Sequence, residues 1–358
     1  MKVLLVAGGT GGHIWPAIAF ALWLNEKNSG NDTRFACGSR SLEREIFAHE
    51  GIEPLFLPIE GSPLWGDLRT RFSRWRGMWK SFWISAGLLR EWEPDVCILF
   101  GGYVSFPVII ASLVTGTPFV VHEQNARAGR VTRTASLAGS PVFSGWKECL
   151  PLGEGKFVRS GIPVRSMTRM APEIAWRKLG HYEEVPPSPR VLVLGGSLGS
   201  DPVSQIFAEA STMEPFSGWS IIQVSAVKEP VKRGVNHWIL PREWDVGLLY
   251  SLADVVVSRA GASTLAEIVE FGLPSVIIPW RGAADDHQFE NARLFKEQGH
   301  GSIWEINNGL LPNLGFMIDY ELKRARPGQE TCPESGNFES CEILWRYVQQ
   351  YAEGRGRN

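Results

Sequence analysis

Residues 2 to 13 read Lys2-Val3-Leu4-Leu5-Val6-Ala7-Gly8-Gly9-Thr10-Gly11-Gly12-His13, and a segment of helical character, Ile14 to Lys27, follows directly. A short apolar strand that runs through glycines into a helix is how a doubly wound α/β domain begins. The glycines clear side chains from the turn, so the backbone can approach a ligand closely. The N–H groups at the helix start favour an anionic or hydroxyl-rich partner, and His13 ends the loop within reach of it. The design recurs in the second half, where Gly195-Gly196-Ser197-Leu198-Gly199 follows the apolar run Arg190 to Leu194. Two such turns imply two similar halves facing one cleft.

Around these turns, strand and helix signals alternate. The first half predicts strands at 2–7, 33–37, 55–57, 95–100, 118–121 and 141–143, with helices at 14–27, 41–50, 67–92 and 107–114. The second half predicts strands near 190–194, 219–224, 238–240, 254–257, 274–278 and 301–304, with helices at 201–211, 245–252, 263–271 and 287–298. Short apolar runs between helices indicate parallel sheets covered on both faces. Gly161 to Arg165 reads as the crossing between halves, 305–340 yields no defined element, and 341–351 reads as a last amphipathic helix.

At 358 residues the chain is long enough for two domains. A net charge of −2 gives no field that points to nucleic acid. Its five cysteines are widely spaced with no Cys-x-x-Cys pair, which indicates neither a zinc site nor a disulfide framework, and a reducing cytoplasm fits. Neither a signal peptide nor a membrane-spanning run is expected.

Five further segments carry chemistry. Ser258-Arg259-Ala260-Gly261-Ala262-Ser263-Thr264, with Glu267 one turn on, follows an apolar strand. Ser263 or Thr264 could simply cap the helix at capping-box spacing; alternatively a nucleotide sits at the helix start with Glu267 on the ribose diol. In His287-Gln288-Phe289-Glu290-Asn291, Gln288 and Asn291 share a helix face, and neutral amides suit sugar hydroxyls. His122-Glu123-Gln124-Asn125 and Gly101-Gly102-Tyr103-Val104-Ser105 each stand after an expected strand, where ligands bind in such folds. The fifth is the stretch 65–92, in which Leu68, Phe72, Trp75, Trp79 and Phe82 mark one helix face. Trp65 and Trp83, Arg76 and Lys80 lie alongside, and residues 61–90 hold six cations against Asp67 alone, a net +5. Such a face either packs on the sheet or lies on an anionic membrane surface. A nicotinamide enzyme is disfavoured, because the glycines depart from GxGxxG and no acid ends the second strand, Phe35-Ala36-Cys37-Gly38.

Taken together and in this order, these motifs, with Pro163-Val164-Arg165, resemble those of the MurG family of glycosyltransferases over Lys2 to about Ser302. The resemblance implies a GT-B fold of two Rossmann-like domains. Residues 1–162 would bind the lipid acceptor and the membrane, 163–340 the UDP-sugar, and 341–358 would form a helix packing back on the first domain. It implies inverting transfer of N-acetylglucosamine from UDP-N-acetylglucosamine to undecaprenyl-diphosphate-MurNAc-pentapeptide, in peptidoglycan synthesis at the cytoplasmic face of the inner membrane. No metal or other cofactor is expected. By position, Ser197 and Arg259 would meet the diphosphate region, Glu267 the ribose, and Gln288 with Asn291 the aminosugar, beside Ser263 and Thr264. Thr10, Gly11, Gly12, His13, Asn125 and Arg165 would also reach the donor. Gly9, Thr10, Tyr103, Ser105, His122, Glu123 and Asn125 would line the acceptor side. Trp65, Phe72, Trp75, Arg76, Trp79 and Lys80 would meet the membrane. His13 is the candidate base, since histidine as a residue type titrates near neutrality. The same architecture would also serve another glycolipid glycosyltransferase or a UDP-N-acetylglucosamine 2-epimerase, and a non-enzymatic membrane-binding protein is the remaining alternative.

Overall fold

The computed structural model describes residues 1–27, 30–61, 67–181, 183–195, 202–280, 286–306, 309–324 and 338–355. The chain forms two compact units, residues 1–165 with 337–358, and residues 166–336. Pro163, Val164 and Arg165 stay with the first unit, where the Arg165 guanidinium lies 3.9 Å above the Trp15 ring.

The first unit contains β1 (Lys2–Val6), α1 (Gly11–Lys27), β2 (Asp32–Cys37), α2 (Ser41–His49), β3 (Leu55–Phe56), α3 (Leu68–Trp92) and β4 (Val96–Leu99). It continues with α4 (Ser105–Thr115), β5 (Phe119–Glu123), α5 (Arg130–Leu137), β6 (Val142–Ser144) and β7 (Val158–Arg159). Its sheet runs β3-β2-β1-β4-β5-β6-β7, all parallel. The central strands β4 and β5 are buried at every residue, as a parallel sheet covered on both faces requires. The order reverses between β1 and β4, and at such a switch point the loops at the carboxyl ends part to leave a crevice.

The second unit contains α6 (Pro172–Lys178), β8 (Arg190–Leu194), α7 (Pro202–Ala210), β9 (Ser220–Val224), β10 (Val231–Arg233), β11 (His237–Leu240) and α8 (Val246–Leu252). After these come β12 (Val255–Ser258), α9 (Ala262–Phe271), β13 (Ser275–Ile277), α10 (His287–Glu297), β14 (Ser302–Ile303) and α11 (Leu311–Arg324). Its sheet order is β10-β11-β9-β8-β12-β13-β14, with only the exposed edge strand β10 antiparallel. Setting β10 aside, the strands repeat the first unit's winding, and the switch point lies between β8 and β12. The final helix, α12 (Phe338–Arg355), belongs to the first unit: Trp345 packs against Phe20 of α1 and Tyr347 against Phe143 of β6.

The expected strands and helices all form, with ends moved by a few residues. Helix α1 begins at Gly11, three residues before the expected start, so Gly11, Gly12 and His13 make its first turn and the glycine loop is shorter than the sequence suggests. Helices α5, α6 and α11 and strands β7 and β10 are additions, and α11 lies within the stretch where no element was expected.

Candidate functional site

In the first unit, the loops after β1 and β4 meet at the switch point. Gly102 has φ +78°, and a Cβ there would collide with the Gly8 carbonyl oxygen, so glycine is required where the two loops touch. A side chain that sequence reasoning did not single out ties them together. Glu43, fully buried in the first turn of α2, accepts from Gly9 N at 2.5 Å, from Arg40 N at 2.9 Å and from the Tyr103 hydroxyl at 3.1 Å. Burial, and then the Glu43 carboxylate beside it, raises the Tyr103 hydroxyl's pKa, so Tyr103 stays a donor. The Arg40 guanidinium lies 4.8 Å over the Tyr103 ring. The signal for Glu43 was its place three residues after Arg40, at the spacing of an acid that folds back on a helix start.

His13 stands in the first turn of α1, and its Nδ1 lies 2.8 Å from Gln124 Oε1. Gln124 Nε2 is 2.9 Å from both Nδ1 and the carbonyl oxygen of His122, and His122 Nε2 is 2.8 Å from the Gly161 carbonyl oxygen. Gln124 is a second residue not singled out from the sequence. His122 is fully buried, and burial pushes its pKa down to about 4, so the ring is neutral.

The remaining first-unit candidates divide by exposure. Glu123 is buried and accepts from Asn125 N and Nδ2, Gly129 N and Thr132 Oγ1, which organises the turn after β5. Ser105 is buried and donates to the Gly101 carbonyl. His122, Glu123 and Ser105 thus turn their polar atoms to protein groups rather than outward. Thr10 is exposed, and Gly9, Gly11, Gly12, His13, Tyr103, Asn125 and Arg165 are half-buried. Asp32 sits at the start of β2 and accepts from Trp92 Nε1, away from the carboxyl edge.

The second unit gathers its candidates at its own switch point. Helix α9 starts at Ala262, with Gly261 as N-cap and no side-chain cap. Ser263 and Thr264 therefore lie inside the first turn instead of capping it, and the capping-box reading of Glu267 fails because no side chain stands at the cap. Glu267 is buried and accepts from the Tyr250 hydroxyl at 3.0 Å. Asn291 of α10 is fully buried and donates to the Ala260 carbonyl, which pins α10 to the turn after β12. Gln288 accepts from Trp280 N, and Arg259 Nη1 lies 3.4 Å from the Ile278 carbonyl. Arg259, Gln288 and Asn291 are thus linked through the loops at the carboxyl edge of β12 and β13, while Glu267 is held from α8. Ser197, with Gly196 and Gly199 beside it, lies outside the described residues, as does Trp65. Among the described residues no group of three or more His, Cys, Asp or Glu is placed to hold a metal ion.

Helix α3 divides the apolar set read from its sequence. Met78, Phe82, Ala86, Leu89 and Trp92 are buried in the first unit's core. Phe72, Trp75, Trp79 and Trp83 are 68%, 52%, 64% and 54% exposed, values at which a large aromatic has no core role. Trp75, Arg76, Trp79, Lys80 and Trp83 line an open groove. Among the described residues no helix is long and apolar enough to cross a membrane.

Residues 3–143 match the glycosyltransferase family 28 N-terminal domain, and residues 190–308 match the family 28 C-terminal domain. A UDP-N-acetylglucosamine–N-acetylmuramyl-(pentapeptide) pyrophosphoryl-undecaprenol N-acetylglucosamine transferase of Chlorobium limicola is 34% identical over 311 residues, 84% of each chain. This chain belongs to the MurG family. The crystal structure of Acinetobacter baumannii MurG superposes with a TM-score of 0.67 at 22% identity, covering 98% of this chain and 99% of that one. The Neisseria meningitidis UDP-GlcNAc 2-epimerase bound to UDP-GlcNAc superposes with a TM-score of 0.62 at 13% identity, covering 98% and 100%, a likeness of fold alone. The MurG family match makes the chain an N-acetylglucosaminyltransferase of GT-B architecture.

Proposed function

We propose that the chain transfers N-acetylglucosamine from UDP-N-acetylglucosamine to the 4-hydroxyl of MurNAc in undecaprenyl-diphosphate-MurNAc-pentapeptide, with inversion, completing the disaccharide lipid precursor of peptidoglycan. The observation that carries this reading is 34% identity, over 84% of both chains, to a transferase named for that donor and acceptor. The residues at the two switch points suit the chemistry. The acceptor oxygen attacks C1 of the aminosugar from the face opposite UDP, the new O–C1 bond forms, and the C1–phosphate oxygen bond breaks. Its electron pair leaves with UDP, and the acceptor proton passes to His13 Nε2.

In this reading the first unit takes the lipid acceptor beside Gly9, Thr10, Tyr103 and Asn125, and the second takes the sugar nucleotide. Arg259, Ser197 and the N–H end of α9, around Ser263 and Thr264, meet the charge on the departing diphosphate. Glu267 holds the ribose diol, and Gln288 with Asn291 reads the sugar. Thr10, Gly11, Gly12, Asn125 and Arg165 complete the donor's surroundings, and no metal takes part. Support for Glu267 and Asn291 as rigid contacts comes from their burial and their fixed partners, Tyr250 and Ala260. The enzyme works peripherally on the cytoplasmic face of the inner membrane. Phe72, Trp75 and Trp79 enter the lipid interface there, and Arg76 and Lys80 meet anionic headgroups. The exposed aromatics of α3 support this.

One assay tests the function: full-length protein, labelled UDP-N-acetylglucosamine and a lipid-linked MurNAc-pentapeptide acceptor. Label moving into the lipid with release of UDP is expected. Free N-acetylmannosamine formed without acceptor would assign an epimerase instead, and an unconsumed donor would reject an enzymatic role.

A further inference from the structure

The chain of side chains behind His13 begins and ends on backbone carbonyls, and a carbonyl only accepts. That fixes every proton between them. His122 Nε2, 2.8 Å from the Gly161 carbonyl oxygen, must carry hydrogen. The buried ring is neutral, so its Nδ1 is bare and accepts from Gln124 Nε2 at 2.9 Å. The other hydrogen of that amide goes to the His122 carbonyl oxygen, also at 2.9 Å. Turning the amide over would set Gln124 Oε1 against that carbonyl, acceptor to acceptor. Oε1 therefore faces His13, and His13 Nδ1, 2.8 Å away, must donate. Gln124 and His122 are 1% and 0% exposed, so water does not stand in for either partner. On the other side the ring lies against the loop after β4, where a Cβ on Gly101 would come within 3.2 Å of His13 Cε1 and Nδ1.

We infer that Gln124 and His122 are positioning residues that hold neutral His13 as the Nδ1–H tautomer, so that the lone pair of Nε2 is the one offered to an acceptor hydroxyl. This rests on the reading of His13 as the base. An unconstrained histidine side chain prefers the opposite, Nε2–H form, in which the outward nitrogen already carries its proton and cannot take another. The arrangement does what the aspartate does in a Ser-His-Asp triad, setting the tautomer and the ring plane, with a neutral amide in place of a carboxylate. When Nε2 takes the acceptor's proton, the Nδ1–H bond to Gln124 stays in place, and the same proton can leave again from Nε2 without any rearrangement.

Tautomers are read directly by long-range proton–nitrogen NMR on full-length protein labelled with 15N-histidine, on the alkaline side of histidine titration. The His13 and His122 signals are assigned by their loss in His13→Asn and His122→Asn. His13 is expected as Nδ1–H with a bare Nε2, and His122 as the reverse. His13 found as Nε2–H, or as an even mixture, overturns the inference whatever its part in catalysis. Gln124→Met keeps the volume and removes both the acceptor and the donors. It should shift His13 toward Nε2–H and lower kcat by roughly 10- to 100-fold, with KM for UDP-N-acetylglucosamine within about twofold. An unchanged kcat accompanied by the tautomer shift overturns the positioning role. The base assignment fails separately, if His13→Ala keeps wild-type kcat while the wild-type tautomer is as stated.

Discussion

His13 and Glu43 show two ways in which a single residue sets this site. His13 has one nitrogen committed to Gln124, and among the described residues Nε2 has no partner. A base touches the acceptor proton mainly in the transition state, so its loss should appear in kcat and not in donor binding. His13→Ala should lower kcat by about 10²- to 10⁴-fold and leave UDP affinity, measured calorimetrically, unchanged; near-normal turnover removes His13 from the role. Glu43 touches no substrate in the proposed reaction. It satisfies Gly9 N, Arg40 N and the Tyr103 hydroxyl inside a buried space. Glu43→Gln turns an NH2 group toward one of these donors. Leaving one donor unsatisfied costs about 1–3 kcal/mol, read as a lower denaturant midpoint, and kcat should fall with it as the Gly9 turn loosens. Wild-type stability in this variant would mean that the carboxylate is not what holds the loops.

Helix α3 carries its argument as an element. Its exposed aromatics and its cations share the groove lined by Trp75, Arg76, Trp79, Lys80 and Trp83, and α4, which packs beside it, adds exposed Ile110, Leu113 and Val114. Each cation near an anionic surface contributes about 1 kcal/mol. Trp75→Ser with Trp79→Ser should therefore reduce partitioning onto vesicles containing anionic lipid by on the order of 10-fold. Salt should weaken the wild-type protein's binding, and UDP affinity should be unchanged. Partitioning equal to wild type would assign this face to another task. Which face of α3 enters the core was not legible from the sequence, because from Met78 onward apolar residues lie on more than one side of the helix. The 4-3-4-3 stripe leaves Phe72, Trp75 and Trp79 exposed and sends Phe82 inward, where the core also takes Met78, Ala86 and Leu89, with small Ser81 and Ser85 buried as well. Helix α11 was missed for a related reason. It buries Leu314, Gly315, Ile318 and Glu321 and exposes Phe316 and Tyr320, so its hydropathy runs against its packing. Strand β10 is exposed at all three residues and has no apolar signal to read. By contrast, strands such as β4 and β8, central in their sheets, announce themselves as uninterrupted apolar runs.

At the scale of the whole chain, each unit repeats one winding, and each buries one neutral histidine deep in its sheet. The repeat was visible in the two glycine turns, because each opens its unit's first strand–helix step. The histidines were not, since burial is a property of the fold and not of the residue. His122 lies in β5 and His237 in β11; both are fully buried, and burial pushes each from 6.5 to about 4. For His237 the positive charge of Arg233 adds to the effect of burial. Its Nε2 is 3.1 Å from Gln223 Oε1, and its Nδ1 has no partner among the described residues. Between pH 6.5 and about 4, the unfolded chain binds a proton at each of these positions and the folded unit does not. Stability therefore rises with pH across that window, is fully present above it, and is lost on acidification by about 3 kcal/mol per histidine. His237→Phe keeps a buried ring and leaves Gln223 without its donor, a cost that does not vary with pH. Denaturant unfolding of the variant should thus show a constant loss near neutrality, with a slope between pH 6.5 and 4 shallower by up to about 1.4 kcal/mol per pH unit. A variant whose acid limb is as steep as the wild type's would mean that His237 is protonated in the folded chain, and that its buried site is open to water.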